Sequence, residues 1–352
     1  AALQHEIARI EAQGVRIHTG RPVTPGFLRD LETSYSAVYL ACGHGRTTAL
    51  RVPGEELDGV GDGLAFLERI RRGETPDVRG MSVIIGGGNT AVDVARSIVR
   101  LGGEALILYR RRRKDMPAFG DEVQMALEEG VKLEELVAPE RIEKDGGRIR
   151  ITLRHMRIAG EEGGRGRIEP DGDRTSRVVA ERLFKATGAE AGEAWYNPPP
   201  AGKGTVALSH CALSLREGRP ALARGGDLTN GIKSVAHAIA SGKQAAIALD
   251  TLFREGADSI LSRLEACTVG VGPSLSMEIH MGGERRLRNR HVVVYGEINT
   301  DYFRYAPRMT QPRLVRAERA RSFAEIDLRV SGNIAMREAE RCFNCGLCDQ
   351  CD

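Results

Sequence analysis

The sequence predicts an α/β protein with two doubly wound (Rossmann-like) domains, one nested inside the other, followed by a cysteine-rich C-terminal extension. Three observations lead to this prediction. Residues 81–109 alternate strand, glycine loop, helix and strand, the order from which doubly wound sheets are built. Residues 35–43 and 225–250 flank this unit and suit two parts of one interrupted domain. Four of the seven cysteines stand between residues 342 and 351.

The composition is that of an ordinary globular protein. Hydrophobic residues make up 41% of the 352 residues and charged residues 28%, which is typical of soluble domains. No apolar run approaches the ~18 residues that a membrane helix needs, and no signal-peptide pattern opens the chain. The net charge of +3 is too small to indicate a nucleic-acid partner. We therefore expect neither a nucleic-acid partner nor a membrane span.

The distribution of the cysteines indicates metal binding. Cys42, Cys211 and Cys267 are scattered, whereas the other four are clustered. A disulfide framework would spread its cysteines to join distant segments, so the cluster favours a metal site in a reducing compartment. We therefore expect a cytoplasmic protein.

Both ends of the sequence suggest a piece of a longer protein. The first residues, LQHEIARIEAQG, already predict an amphipathic helix, because Leu3, Ile7 and Ile10 recur at helical spacing. The segment VRIHTG then predicts a strand, and the chain stops inside the cysteine motif. We therefore expect a fragment.

Further elements follow from periodicity and turn residues. YSAVYLACG predicts a short buried strand, and GDEVQMALEEG predicts a polar helix that leads to VKLEEL. RIRITLRHMRI and RVVAERLFKATG predict two strands joined by a hairpin tip near 160–175. A helix rich in small residues is predicted from Ile232 to about Phe253, and HVVVYGEI predicts one more strand. The segment 190–220 is expected to be irregular.

The glycine loop after residue 85 predicts a dinucleotide site. IIGGGNTAVDVARSIV fits strand, G-x-G-x-x-A and helix, with Gly86, Gly88 and Ala91 at the three small positions. The first glycine turns the chain, the second lets the backbone approach a pyrophosphate, and the third small residue lets helix and strand pack. The candidate contacts are Gly86, Gly87, Gly88, Asn89 and Thr90. The alternative is a glycine turn that binds no ligand.

The next strand ends in a basic run that favours NADPH. Tyr109 is followed by four arginines and Lys114, and no acidic residue precedes Asp115. An NAD site usually places an acid here for the ribose 2′-hydroxyl, whereas an arginine accommodates a 2′-phosphate. We therefore expect the nucleotide to be NADPH and Arg110 and Arg111 to contact it. NADH is the alternative nucleotide. The alternative is a solvated basic run.

Five motifs follow one another along the chain: YSAVYLACG, VPGEELDGV, GGGNTAVD, YRRRRKDMPAF and GGDLTNG with AIASGKQAA. In this order they resemble the motifs of the pyridine-nucleotide-dependent flavoprotein family typified by the glutamate synthase small chain. The resemblance covers most of residues 1–255. Cys42 replaces the usual Thr of the first motif, and the family's first FAD-binding glycine loop would precede Leu3 and is absent. We therefore expect this chain to bind FAD weakly or not at all.

The resemblance implies an FAD site and its residues. Asp227 would hold the ribityl chain, and the helix after Gly231 would point at the flavin ring. The implied contacts are Ala41, Gly43, Gly226, Asp227, Gly231 and Ile232. Residues 80–190 contain no cysteine, so the thiol–disulfide chemistry of related disulfide reductases is excluded at that place.

The cysteine motif predicts ligands of a [4Fe-4S] cluster. Cys342, Cys345, Cys348 and Cys351 follow C-x2-C-x2-C-x2-C, close to the spacing of bacterial ferredoxins. Structural zinc sites usually use two pairs that are further apart, so zinc and an unliganded tail are the alternatives. FAEIDLRVSGNIAMREAERCFNCGLC resembles the entry to a ferredoxin-like domain in extended members of the same family. VVVYGEINTDYF resembles the group linked to dissimilatory sulfite reductase, and similar subunits serve 2-oxoacid oxidoreductases.

The sequence thus predicts an NAD(P)H:acceptor oxidoreductase that passes electrons between NAD(P)H, FAD and iron–sulfur clusters to or from an iron–sulfur partner enzyme or subunit. The sulfite-reductase-linked partner is favoured; the alternatives are a glutamate synthase small chain and a non-catalytic zinc or nucleic-acid module. No catalytic side chain is predicted, because the cofactors carry hydride chemistry. The predicted parts are an FAD-type domain in two parts (1–77 and 191–255), an NAD(P)H-binding domain (78–190), a connecting region (256–341) and the start of an iron–sulfur domain (342–352).

Overall fold

The computed structural model describes residues 2–162, 165–192, 204–216, 218–269, 274–284 and 293–345. The chain forms two compact units. Unit 1 comprises Ala1–Ala41 and Glu193–Arg285, and unit 2 comprises Cys42–Gly192 and Arg286–Asp352. These bounds differ from the predicted domain limits, since residues 42–77 belong to unit 2, where their strand pairs with the nucleotide-type sheet.

The described residues form helices and strands in mixed order. The α-helices are α1 (Ala2–Ala12), α2 (Pro25–Ser34), α3 (Gly63–Arg71), α4 (Asn89–Arg100), α5 (Gly120–Glu129), α6 (Val235–Glu255), α7 (Ile260–Ala266), α8 (Met277–His280), α9 (Arg316–Arg319) and α10 (Gly332–Ala339). The strands are β1 (Ala37–Leu40), β2 (Arg46–Thr47), β3 (Val60–Asp62), β4 (Met81–Ile85), β5 (Glu104–Tyr109), β6 (Lys132–Glu135), β7 (Val137–Asp145), β8 (Arg148–Glu162), β9 (Arg165–Ala180), β10 (Arg182–Lys185), β11 (Ala189–Glu190), β12 (Thr205–Ala207), β13 (Ala212–Ser214) and β14 (Ala221–Arg224). None of these helices combines the length and apolar character needed to cross a membrane.

Unit 2 is built on a parallel sheet in the order β3-β10-β4-β5-β6. Four of the five residues of β4 are buried, as expected for a central strand covered on both faces. One face of the sheet shares a core with α3, α4 and α5, and its fully buried members include Ile84, Val92, Ala95 and Ile98. The predicted α/β fold class is confirmed here, with β4 and α4 as the first strand and helix of a doubly wound unit.

An antiparallel sheet, β7-β8-β9, covers the other side of the parallel sheet. The predicted hairpin is present, but pairing continues from Ile149↔Ala180 out to Glu162↔Arg165, through most of the segment predicted as its tip. The predicted strand RVVAERLFKATG divides at Glu181, because β9 ends in the antiparallel sheet and β10 enters the parallel one. The Glu181 carboxylate accepts a hydrogen bond from the Met81 backbone at 2.6 Å, which fixes this change of sheet.

Within unit 2, ion pairs of buried arginines hold the segment around α9 against α4 and α5. Arg96 on α4 donates to Glu129 on α5 at 2.9 and 2.7 Å, and Arg319 on α9 lies 3.4 Å from the same carboxylate. Arg319 also pairs with Glu128, and Arg100 donates to the Arg319 carbonyl at 3.0 Å. These contacts bind the connecting region to the helices that flank the glycine loop.

The strand predicted from HVVVYGEI does not form within the described part of the chain. His291 and Val292 lie outside the described residues, and Tyr295–Glu297 is a 3₁₀ turn. Val294 is 60% exposed and Tyr295 70% exposed. An apolar run becomes a strand only where a neighbouring strand is available to pair with it, and Val293 donates instead to the Cys345 carbonyl at 2.9 Å.

Unit 1 contains a four-stranded sheet in the order β1-β14-β13-β12. The β1–β14 pair is parallel and the other pairs are antiparallel, so two short strands replace part of the irregular segment predicted at 190–220. The strand predicted from VRIHTG is not formed, and Val15 and Ile17 are about half exposed. The long helix α6 begins at Val235 rather than Ile232, because the Ser234 hydroxyl caps it by accepting from the His237 amide at 3.2 Å.

Candidate functional site

The glycine loop follows β4 at the carboxyl end of the parallel sheet, where ligands bind in open α/β folds. Gly86 has φ +146, and a Cβ there would lie 2.2 Å from the Ala186 carbonyl oxygen. A Cβ on Gly87 would lie 2.4 Å from Cε2 of Tyr109. These two glycines are therefore required by the fold itself, because any side chain would collide with neighbouring strands.

Gly88 differs from its two neighbours. It caps α4 with φ −86 and ψ 175 and without a side-chain hydrogen bond, and a Cβ there would meet nothing within 4 Å. The first amides of a helix have no partners inside the helix and attract anions. The start of α4 thus offers donors and open space for a phosphate group.

The two residues after Gly88 differ in whether their side chains already contact another part of the chain. The Asn89 side chain accepts from the Phe119 amide at 3.0 Å, so it braces the loop that follows β5. Thr90 is half-buried at the first turn of α4, and Ala91 is fully buried against the sheet. Ala91 therefore occupies the third small position of the motif, as close helix–strand packing requires.

The basic loop, residues 110–115, starts where β5 ends. The Arg110 side chain is exposed. Arg111 is half-buried, and its Nε donates to the Gly166 carbonyl of β9 at 2.9 Å. The two arginines predicted together are thus placed differently, with Arg110 facing solvent and Arg111 held by a strand.

A pocket of about 580 Å³ opens beside this loop. Three cations, three apolar side chains and a carboxylate contribute most of its wall; the lining residues are Arg112, Arg113, Lys114, Met116, Ala118, Gly120, Val123 and Glu135. The Ala118 amide donates to the Gly87 carbonyl at 3.2 Å, which joins the pocket to the glycine loop. The sequence prediction named only Arg110 and Arg111. The same uninterrupted RRRRK run also contains Arg112, Arg113 and Lys114, which line this pocket.

Asp115 organises the basic loop from within. Its carboxylate is 5% exposed and receives Arg112 Nε at 2.8 Å and Nη2 at 3.2 Å. This guanidinium lowers the pKa of Asp115 to about 2. The Asp115 carbonyl accepts from the Tyr109 hydroxyl at 2.8 Å. The first acid after β5 is therefore the buried counter-ion of an arginine.

The FAD-type residues of unit 1 surround the turn after β14. Gly226 has φ +64, and its amide donates to the Ser241 hydroxyl at 2.6 Å. Ser241 also contacts the Tyr39 hydroxyl at 2.9 Å, and a Cβ on Gly225 would lie 2.0 Å from that hydroxyl. Ala41, at the end of β1, is exposed. Gly43, with φ +67, falls in unit 2.

The start of α6 presents an uncovered apolar surface. Ile232 is 64% exposed, Val235 77% and Ile239 64%, and a Cβ on Gly231 would meet nothing within 4 Å. Asp227 is half-buried in the 3₁₀ turn that precedes this helix. A carboxylate beside an uncovered apolar helix start fits the polar chain and flat ring of a flavin.

The cysteine motif is described only in part. Cys342 is exposed and Cys345 is half-buried, whereas Cys348 and Cys351 lie outside the described residues. Asn344, with φ +52, donates its amide to the Cys342 sulfur at 3.3 Å, and such bonds tune cluster thiolates. Within the described residues no group of three or more His, Cys, Asp or Glu side chains could hold a metal ion. The two described cysteines therefore do not make a metal site by themselves.

Comparison with known proteins places the chain among nucleotide-dependent flavoproteins. The sequence profile of the family described as "Pyridine nucleotide-disulphide oxidoreductase" matches residues 2–242. The beta subunit of the NADP(+)-dependent formate dehydrogenase of Moorella thermoacetica is 30% identical over 97% of this chain and 47% of that protein. The beta subunit of the NADPH-Fe(3+) oxidoreductase of Geobacter sulfurreducens (strain DL-1 / KN400) is 36% identical over 51% of this chain and 28% of its own length.

A third relative is the glutamate synthase [NADPH] small chain of Escherichia coli (strain K12), 32% identical over 62% of this chain and 51% of that protein. The chain thus spans about half the length, or less, of these relatives. The resemblance to the glutamate synthase small-chain group is confirmed at the level of homology.

Proposed function

Because the chain belongs to the pyridine nucleotide-disulphide oxidoreductase family, we propose that it is part of an NAD(P)H:acceptor oxidoreductase that uses FAD and exchanges electrons with an iron–sulfur partner. The observation that carries the proposal is the open start of α4 at Gly88, which lies at the carboxyl end of the central strand and beside a basic pocket. This arrangement supports a pyrophosphate at the helix and an adenosine half along the loop after β5.

The chain's own residues act by binding and orientation. The start of α4 would hold the pyrophosphate through its amides, and Gly86 and Gly87 would keep the backbone close enough for this contact. Arg110 and the pocket cations Arg113 and Lys114 would hold a 2′-phosphate, so NADPH is the proposed nucleotide. Family membership supports this nucleotide chemistry. Residues 80–190 hold no cysteine, so disulfide chemistry at that place in the chain is excluded.

In unit 1, the turn at Gly226 and Asp227 and the apolar start of α6 would hold the ribityl and ring parts of FAD. These residues would bind and orient FAD, and the cofactor held there would supply hydride acceptance and one-electron release. Cys342, Cys345, Cys348 and Cys351 are proposed as ligands of a [4Fe-4S] cluster. The Asn344 amide donates to the Cys342 sulfur at 3.3 Å, a type of hydrogen bond that cluster ligands also accept.

For the electron-transfer partner, we propose an iron–sulfur enzyme or subunit. The sulfite-reductase-linked partner rests on the resemblance of VVVYGEINTDYF alone. The beta subunits of a formate dehydrogenase and an Fe(3+) oxidoreductase among the relatives support electron exchange with other subunits more generally. A glutamate synthase partner stays the second candidate, since that small chain is also a relative. Family membership counts against a zinc or nucleic-acid module.

Isothermal titration of the 352-residue chain with NADPH, NADH and 2′,5′-ADP tests the nucleotide site. We expect NADPH to bind more tightly than NADH and 2′,5′-ADP to compete with it. Arg113→Ala should weaken NADPH by about tenfold or more, because a hydrogen bond to a charged group contributes about 1.5–3 kcal/mol, and should leave NADH nearly unchanged. Arg321→Ala, an exposed arginine in the connecting region, is the control. A chain that binds none of the three ligands would refute the proposal.

A further inference from the structure

The β8–β9 pair reaches well beyond the sheet that anchors it. Its first part is fixed in the core of unit 2, where Ile149, Ile151 and Leu153 are buried. The register then shifts between Arg154 and Met156 and again between Ile158 and Gly160. We define the distal ribbon as the paired residues 156–162 and 165–170. The register shifts bend it, as β-bulges do, and it lies against the basic loop.

Gly166 is the point at which the distal ribbon meets the basic loop. Its carbonyl accepts from Arg111 Nε at 2.9 Å, and its amide lies 3.4 Å from Asp115 Oδ1. A Cβ at Gly166 would lie 2.8 Å from Ile158 Cδ1 and 3.1 Å from Arg112 Nη2. A side chain at Gly166 would therefore push the end of the Ile158 side chain and crowd the Arg112 guanidinium, so the close approach of the ribbon to this loop favours glycine.

Contacts continue from Gly166 to the phosphate-binding end of the site. The Asp115 carboxylate holds Arg112, which lines the basic pocket. The Asp115 backbone carbonyl accepts a hydrogen bond from the Tyr109 hydroxyl. The Tyr109 ring packs on Gly87, where a Cβ would lie 2.4 Å from it. The ribbon therefore positions the pocket cations through the Asp115 carboxylate, whereas the glycine loop depends on the Asp115 backbone carbonyl, which a change of the side chain leaves in place.

We propose that the distal ribbon determines the preference for the 2′-phosphate of NADPH, with Gly166 and Asp115 as positioning residues of the basic loop. The proposal rests on the nucleotide site proposed above. The ribbon holds Arg111 and, through Asp115, Arg112, so these two arginines shape the loop while Arg110 and Arg113 meet the ligand. A ribbon pushed away from the loop would release both arginines, and the pocket would lose the geometry that selects a second phosphate.

Titration of the 352-residue chain with NADPH, NADH and 2′,5′-ADP tests this for Gly166→Ala and Asp115→Asn. Both variants should weaken NADPH and 2′,5′-ADP by about tenfold and NADH by less than about threefold, the loss expected from one misplaced hydrogen bond to a charged group. Arg167→Ala is the matched control, because this neighbour on the same strand is exposed and its removal should change none of the three affinities.

Each result has a defined meaning. Equal losses for NADPH and NADH, or unchanged affinities in both variants, would overturn the proposal and leave the ribbon as scaffold only. If wild type itself binds no nucleotide, the proposed function fails as well, so the two failures are distinguishable. If Gly166→Ala does not fold, as judged by circular dichroism, Asp115→Asn decides, because it keeps the shape of the side chain and removes its charge.

Discussion

Replacement of Gly88 by valine should separate ligand binding from folding. The backbone at Gly88, with φ −86 and ψ 175, is accessible to any residue, and a Cβ there meets nothing within 4 Å. The cost to the fold is therefore limited to a poorer helix N-cap, about 1 kcal/mol. For a unit of this size, such a loss lowers Tm by about 2–4 °C.

The cost to binding should be far larger. The valine side chain would occupy the open space in front of α4, where the pyrophosphate is proposed to lie. Loss of two hydrogen bonds to a charged group, at about 1.5–3 kcal/mol each, corresponds to about 3–6 kcal/mol, or a rise in Kd of about 10²–10⁴-fold. Isothermal titration with NADPH gives the Kd, and thermal denaturation followed by circular dichroism gives the Tm.

Gly86→Val is the matched comparison in the same loop. Gly86 has φ +146, and its Cβ would overlap the Ala186 carbonyl at 2.2 Å, so this variant should lose the fold as well as the ligand. The interpretation of the loop as a pyrophosphate site is refuted if Gly88→Val binds NADPH with an unchanged Kd. A Gly88→Val protein that melts as low as Gly86→Val would show that Gly88 serves the fold.

Two further predictions concern the C-terminal region. Anaerobically purified Cys345→Ala protein should contain less iron and acid-labile sulfide than wild type yet bind NADPH equally well. Zinc in wild type, or an unchanged iron content, would contradict the cluster assignment. Arg319→Ala should reduce the free energy of unfolding of the chain by about 2–3 kcal/mol. The substitution removes the buried cation that pairs with Glu128 and Glu129, although Arg96 still pairs with Glu129. Urea denaturation measures this change, exposed Arg321→Ala is the control, and equal stability of both variants would show that the network does not fasten α9 to the unit.

Local spacing was enough to predict the nucleotide-binding core. The run from Met81 to Tyr109 determines an apolar strand, a glycine turn and an amphipathic helix through contacts between near neighbours. For this reason the strand, the loop and the helix form where the sequence predicts them. Ala91 is buried against the strand of the same short segment, whereas Gly86 is also required by the Ala186 carbonyl, which lies far along the chain after β10.

Predictions that needed a distant partner were less successful. VRIHTG and HVVVYGEI have strand-like composition, yet neither becomes a strand within the described residues, because strand formation depends on a neighbour that the local sequence does not specify. RVVAERLFKATG reads as one strand, but Glu181 divides it between two sheets by binding the Met81 amide, 100 positions earlier in the chain.

The same distinction applies to the basic run at 110–114. Its composition alone determines that this end of the sheet carries excess positive charge, which favours a phosphate. Only the tertiary structure decides which cation is available, because Arg111 is held by Gly166 and Arg112 by Asp115, whereas Arg110 is exposed. Gly166 is 55 residues from Arg111 in sequence, and a contact over that separation arises only once the β8–β9 pair has folded back onto the loop.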